Sequence, residues 1–119
     1  MSTAIEWVLE MEIQVGQADA VLPLVTEMAK ATQADEPGAL TYEYYLNADK
    51  TRCTVLERYA DNAAVMVHLG NFGAKFADRF MAAFAPVSFT VYGPANEEVR
   101  NALAGLGATH QDLIAGFSR

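Results

Sequence analysis

From Ile5 to Val15 the odd positions read Ile, Trp, Leu, Met, Ile and Val, while the even ones are Glu6, Val8, Glu10, Glu12 and Gln14. Alternation with period two predicts a strand that has one buried face and one partly polar face, ended by Gly16. The period then changes. Val21, Leu24, Val25 and Met28 recur at three and four residues and form a single apolar stripe, which predicts a helix over about Ala18 to Ala34. Pro23 argues against a regular helix interior, but close to the first turn it has little hydrogen bonding to lose.

After the break at "DEPG", Leu40, Tyr42, Tyr44 and Leu46 alternate with Thr41, Glu43 and Tyr45. The turn "NADK" leads into a second alternation, Cys53, Val55, Glu57 and Tyr59 against Thr54, Leu56 and Arg58, so the pair reads as a β-hairpin. Asp61 has the side chain of an N-cap, and Val65, His68, Leu69 and Phe72 fall on one helical stripe behind it. Gly70 and Gly73 weaken that helix before a second run, Ala74 to Phe84, which carries Phe76, Phe80 and Phe84 on one face. A bent or two-part helix is expected. Pro86 precedes a fourth strand at about Val87 to Tyr92. A short helix then starts at Asn96 and stops at Gly105 and Gly107, leaving the tail "ATHQDLIAGFSR".

The order β-α-β-β-α-β places the chain in the α+β class with a ferredoxin-like arrangement, helices covering one face of a four-stranded antiparallel sheet. It reads as one domain over residues 1–119, with a core at about 5–92 and a C-terminal helix and tail over 93–119. The second sheet face still needs a cover. Apolar or aromatic residues on both sides of the hairpin suggest that a homodimer supplies it, sheet on sheet.

The composition supports that picture. Apolar residues make up 52% of the chain, yet no run approaches the roughly 18 consecutive ones a membrane span needs, so the excess is assigned to core and subunit interface. Eight Lys and Arg against fifteen Asp and Glu give a net charge of −7, the wrong sign for a nucleic-acid partner. With Cys53 as the only cysteine and no secretory signal at "MSTAIEWVLE", the expected compartment is the cytoplasm.

No strong chemical motif is present: there is no phosphate-cradling glycine loop, CxxC, HExxH or nucleophile elbow. One cysteine and two distant histidines make no convincing metal site, and Cys53 reads as a small buried thiol. His68 interrupts an apolar stripe. It is either a proton-transfer group or a core-edge histidine satisfied by a backbone or tyrosine partner, and its removal is expected to change stability little. Glu57 shares a strand face with Tyr59, so it either serves a site or belongs to a polar network across the dimer seam. Trp7, Tyr42, Tyr44 and the phenylalanines could wall a cavity for a flat ring, or could simply be core.

The segment "EPGALTYEYYLNADKTRCTVLERYADNAAVMVHL" resembles the antibiotic biosynthesis monooxygenase family, small dimeric α+β-barrel proteins. The likeness rests on Glu36, Gly38 and Tyr42, then Glu57, Tyr59 and Asp61, then His68, and it spans about Ile5 to Tyr92. It implies a cavity between sheet and helices in each subunit and a homodimer joined through the opposite sheet faces. It also implies a cofactor-independent monooxygenase acting with O₂ on a small phenolic or quinol-type aromatic substrate, or else an isomerase or small-metabolite-binding dimer of the same fold. The haem-degrading branch is the poorer likeness, because His68 stands where its Trp would be and Asp78 lies near where its His would be. On the monooxygenase reading, His68 and Tyr59 are the catalytic candidates. Trp7, Tyr42, Tyr44, Glu57, Phe72 and Phe76 are the substrate-binding candidates, and no metal or cofactor is required.

Overall fold

A computed structural model describes residues 2–119. In chain order the elements are β1 (Ile5–Ile13), α1 (Ala18–Asp35), β2 (Ala39–Leu46), β3 (Arg52–Tyr59), α2 (Asn62–Lys75), α3 (Ala77–Ala83), β4 (Phe84–Tyr92), α4 (Glu97–Leu103) and β5 (Thr109–Gln111). One five-stranded sheet has the order β2-β3-β1-β4-β5. Its first four strands are antiparallel and ferredoxin-like, while β5 adds in parallel to the outer edge of β4.

The period-two readings translate directly into burial. On β1, Ile5, Trp7, Leu9 and Met11 are buried, and on β3 the buried set is Cys53, Val55, Glu57 and Tyr59. These side chains share the inner face because β1 and β3 pair with Trp7 opposite Glu57 and Leu9 opposite Val55. The helical stripes meet them from above: Val21, Leu24, Met28 and Thr32 of α1, Val65 and His68 of α2, Phe80 and Ala83 of α3. Pro23 lies inside α1. The carbonyl it leaves without a helical partner is that of Asp19, an exposed residue that water can reach.

Three expectations need correction. Gly70 and Gly73 do not interrupt α2, which runs to Lys75; the break comes at Phe76, whose non-helical backbone ends α2 and starts α3. The fourth strand begins at Phe84 rather than Val87. Pro86 fits inside it because β1 and β4 change register between Glu10 and Met11, where the ladder is already irregular and a missing N–H is tolerated. The sheet has five strands rather than four, because the tail contributes β5, three residues whose alternation is too short to register in sequence.

Among the described residues, no helix is long and apolar enough to cross a membrane.

Candidate functional site

Glu57 is the one acid on the inner face of β3, and only 6% of it is exposed. A carboxylate in that position must be hydrogen-bonded to be tolerated. Trp7 Nε1, directly across the β1–β3 ladder, donates to Glu57 Oε2 at 2.5 Å, and the Tyr59 hydroxyl, two residues along the same strand face, donates to Oε1 at 2.5 Å. His68 Nε2 lies 3.3 Å from the same Oε1. The alternative of a polar network at a dimer seam does not hold for Glu57: its side chain faces the helices, not the outer side of the sheet.

The other edge of the His68 ring meets a second buried acid. Nδ1 is 2.9 Å from Oε1 of Glu36, which is 5% exposed and receives a further hydrogen bond from Asn71 Nδ2 at 3.3 Å. Glu36 is the residue on which α1 ends, its N–H donating to the Thr32 carbonyl. The turn after it is pressed against the first turn of α2. A Cβ on Gly38 would sit 2.6 Å from Ala64 Cβ, so only glycine permits the approach that brings Glu36 to His68. On the helix side, Asp61 caps α2 as expected, accepting from the Ala64 N–H at 2.8 Å, and so fixes where His68 and Asn71 point.

Two ring nitrogens that both face carboxylate oxygens can both donate only when the ring is imidazolium. Burial opposes that charge. The contacts and charges of Glu57 and Glu36 outweigh the burial, and the His68 pKa is raised above its ordinary value. The tyrosines go the other way: burial, reinforced by the Glu57 charge, holds the phenols of Tyr59 and Tyr42 far above the usual range, so they remain neutral donors. Two carboxylates around one imidazolium leave the centre with one net negative charge.

A cleft between α1 and α2 opens onto this centre. Its lining includes Thr32, Glu36, Tyr42, His68, Asn71 and Phe72, and at its mouth Lys75 Nζ lies 3.6 Å from Asp35 Oδ2. The space free to water inside is about 10 Å³, room for about one water molecule.

The sequence-based candidates separate into two layers around it. Tyr42, His68, Phe72 and Phe76 line the cleft. Trp7, Glu57 and Tyr59 lie behind His68, the Trp7 and Tyr59 rings 5.0 Å apart and the Tyr59 and His68 rings also 5.0 Å apart. Tyr44 reaches the cleft only through Tyr42, their hydroxyls being 2.8 Å apart. Cys53 is buried away from the cleft, and burial pushes its thiol up to about 11. Sequence reasoning named Glu36 only as part of the family resemblance, without a site role, and gave none to Thr32 or Asn71. Asn71 carried a usable signal, since its spacing of three from His68 puts both on one helix face.

Comparison with known proteins places these features in context. The sequence model of antibiotic biosynthesis monooxygenase matches residues 5–77, more than half of the chain. No curated protein gave a sequence match. Among solved structures, MupZ from Pseudomonas fluorescens superposes with a TM-score of 0.86 at 25% identity, covering 100% of this chain and 91% of its own. A Caulobacter crescentus CB15 protein assigned by name to the antibiotic biosynthesis monooxygenases gives 0.64 at 26% identity, over 76% of this chain and 88% of its own. Rv0793 from Mycobacterium tuberculosis gives 0.58 at 23% identity, over 79% and 97%.

Proposed function

The chain belongs to the antibiotic biosynthesis monooxygenase family, and we propose that it is a cofactor-independent, dimeric monooxygenase that oxidises a small neutral phenol or quinol with O₂ at the His68 cleft. The observation that supports this reading is the buried carboxylate–imidazole–carboxylate array, Glu36–His68–Glu57, set at the floor of a cleft walled by Tyr42 and Phe72. Charge favours a neutral substrate over an acid or phosphate. The centre is already net negative, and Lys75, the cation at the mouth, is paired with Asp35.

In this reading the substrate hydroxyl gives up its proton at the cleft floor. Both His68 nitrogens are turned to carboxylates, so the incoming proton is taken up at Glu36, whose carboxylate lines the cleft, while His68 keeps that carboxylate oriented. The electron-rich phenolate passes an electron to O₂, and the two radicals combine with a C–O bond at the ring. Loss of the ring C–H proton and cleavage of the O–O bond then release water. Phenol plus O₂ becomes quinone plus water, one oxygen atom in each product, with no outside reductant. Tyr59 and Trp7 act from behind, fixing Glu57 and through it the ring of His68.

A ring needs far more room than the cleft holds at rest; a cavity of about 150 Å³ accepts benzene. Entry therefore requires Tyr42 and Phe72, both only half-buried, to swing outward. The closed cleft favours a second reading, in which the array is a filled polar core of a non-catalytic member. A charged His68 could also act as a general acid in an isomerisation that uses no oxygen.

Oxygen uptake against a panel of quinols and polyphenols, with a metal chelator present, separates these. Uptake by the wild-type protein that falls by roughly 10²-fold or more in Glu36→Gln supports the proposal. Turnover that persists at the same rate without oxygen selects the isomerase, and no binding of any ring at the cleft selects the filled core.

A further inference from the structure

The outer face of the sheet is covered by none of the chain's own helices. Val8, Thr54, Leu56 and Thr90 sit half-buried along it, flanked by the ion pairs Arg58–Glu6 at 3.0 Å and Arg52–Glu12 at 3.5 Å. Beyond β5 the chain continues as residues 112–119, an arm without helix or strand in which every residue is exposed. Leu113, Ile114 and Phe117 are 63%, 97% and 82% exposed. The arm stands off the body and, with Glu6, Arg58, Tyr92 and Pro94, borders an open groove of about 770 Å³.

We propose that this arm packs onto a second copy of the same chain, clasping a symmetric dimer that closes across the outer sheet face. The inference rests on the dimeric reading given above and adds the element that secures it.

Area is the first reason. Four strands spaced about 4.8 Å apart, with about eight residues rising about 3.3 Å each, present a flat face of roughly 500 Å² per copy. A specific stable interface buries roughly 1,200–2,000 Å² of accessible surface in total, and two arms bearing the exposed Leu113, Ile114 and Phe117, which begin at the edge of the same face, add apolar contact to what the sheet supplies.

Recurrence is the second. MupZ superposes over the whole of this chain, the arm included, whereas the Caulobacter crescentus structure covers 76% of it. An extended segment that makes so little contact with its own body holds a shared path only when something else supports it. Charge decides what that is. A net charge of −7 opposes an anionic lipid surface. The outer face, by contrast, has its two arginines paired with Glu6 and Glu12 within the copy, so much of its charge is balanced before a second face meets it.

The test is sedimentation equilibrium of the full chain and of the double variant Ile114→Asp, Phe117→Asp, with circular dichroism to confirm that both fold. Both side chains are solvent-exposed within one copy, so the variant leaves the fold of the protomer unperturbed. The expected result is a wild-type dimer at micromolar concentration and a dimer dissociation constant raised at least about tenfold in the variant. Amide exchange of residues 112–117 should slow as the wild type dimerises. A variant that dimerises as tightly as the wild type, with arm amides exchanging freely, overturns the arm's role while leaving the dimer intact. A monomeric wild type overturns the dimeric reading itself. Dimerisation unaffected by the variant, together with loss of binding to phosphatidylcholine vesicles, would assign the arm to lipid and overturn the proposal.

Discussion

His68 Nδ1 lies 2.9 Å from Glu36 Oε1, a contact that ties α2 to the end of α1 across 32 residues of chain and leaves both side chains almost wholly out of water. With Nε2 turned to Glu57, the ring stands between two acids whose ion pairs, among the described residues, are with this ring alone. Most of what can be tested at this site follows from that position.

Replacing His68 with Phe keeps the ring's bulk but leaves Glu36 and Glu57 buried without their shared cation. Breaking a buried ion pair from one side costs about 3–5 kcal/mol. His68→Phe is therefore expected to lower the urea midpoint markedly, whereas the sequence alone suggested little change. Equilibrium unfolding by fluorescence of Trp7 measures it; a midpoint within error of wild type would mean that the carboxylates take up protons or water at no cost.

The same contact sets a pH dependence. His68 has a raised pKa in the folded protein, so between the unfolded value near 6.5 and the folded one the native state holds more protons than the unfolded chain. Its contribution to stability is fully present below about pH 6.5 and is lost as pH rises through the folded pKa. Unfolding midpoints of the wild type should fall over that alkaline interval more steeply than those of His68→Gln. Parallel pH profiles for the two would remove His68 as the source.

Tyr59→Phe deletes the hydroxyl that donates to Glu57 while keeping the ring against Trp7 and His68. Loss of one hydrogen bond to a buried charge is expected to cost about 1–3 kcal/mol. Because Tyr59 lies behind the cleft, turnover of an identified substrate should fall less than in Glu36→Gln. A larger fall in Tyr59→Phe would place the phenol in contact with the substrate.

Gly38→Ala inserts a methyl 2.6 Å from Ala64 Cβ, where the end of α1 and the start of α2 are pressed together. Overpacking of this kind costs about 1–3 kcal/mol. The shift should also loosen the Glu36–His68 contact, so the His68 pKa, followed by NMR titration, is expected to move down toward its ordinary value. An unchanged titration would show that the turn relaxes without moving Glu36.

Cys53→Ala should fold and keep any activity, because the thiol is buried among apolar neighbours with its pKa pushed up to about 11. Native wild-type protein should accordingly resist alkylation at pH 7, as followed by intact mass. Rapid labelling of the folded protein would place the thiol in a reactive setting.

The sequence by itself determined the elements and their faces. Alternation and helical spacing are local properties, read within a few residues, so the β-α-β-β-α-β order was legible, as was the common face of Glu57 and Tyr59 on β3, because strand parity allows no other outcome; that Trp7 joins them was decided by the pairing of β1 with β3. Only the tertiary structure decided what those faces meet. Glu36 sits in a loop-like "DEPG" stretch, where no periodicity marks an acid as buried, and its contact with His68 depends on how closely Gly38 lets two elements approach. The break at Phe76 rather than at Gly70 or Gly73 was likewise hidden, since packing of Phe76 and Phe80 against the core outweighs the weak helical preference of glycine. The charge on His68 and the closure of the cleft were hidden for the same reason. Both depend on groups far apart in the chain, and a pattern along the sequence carries no information about distances between segments until the segments are packed.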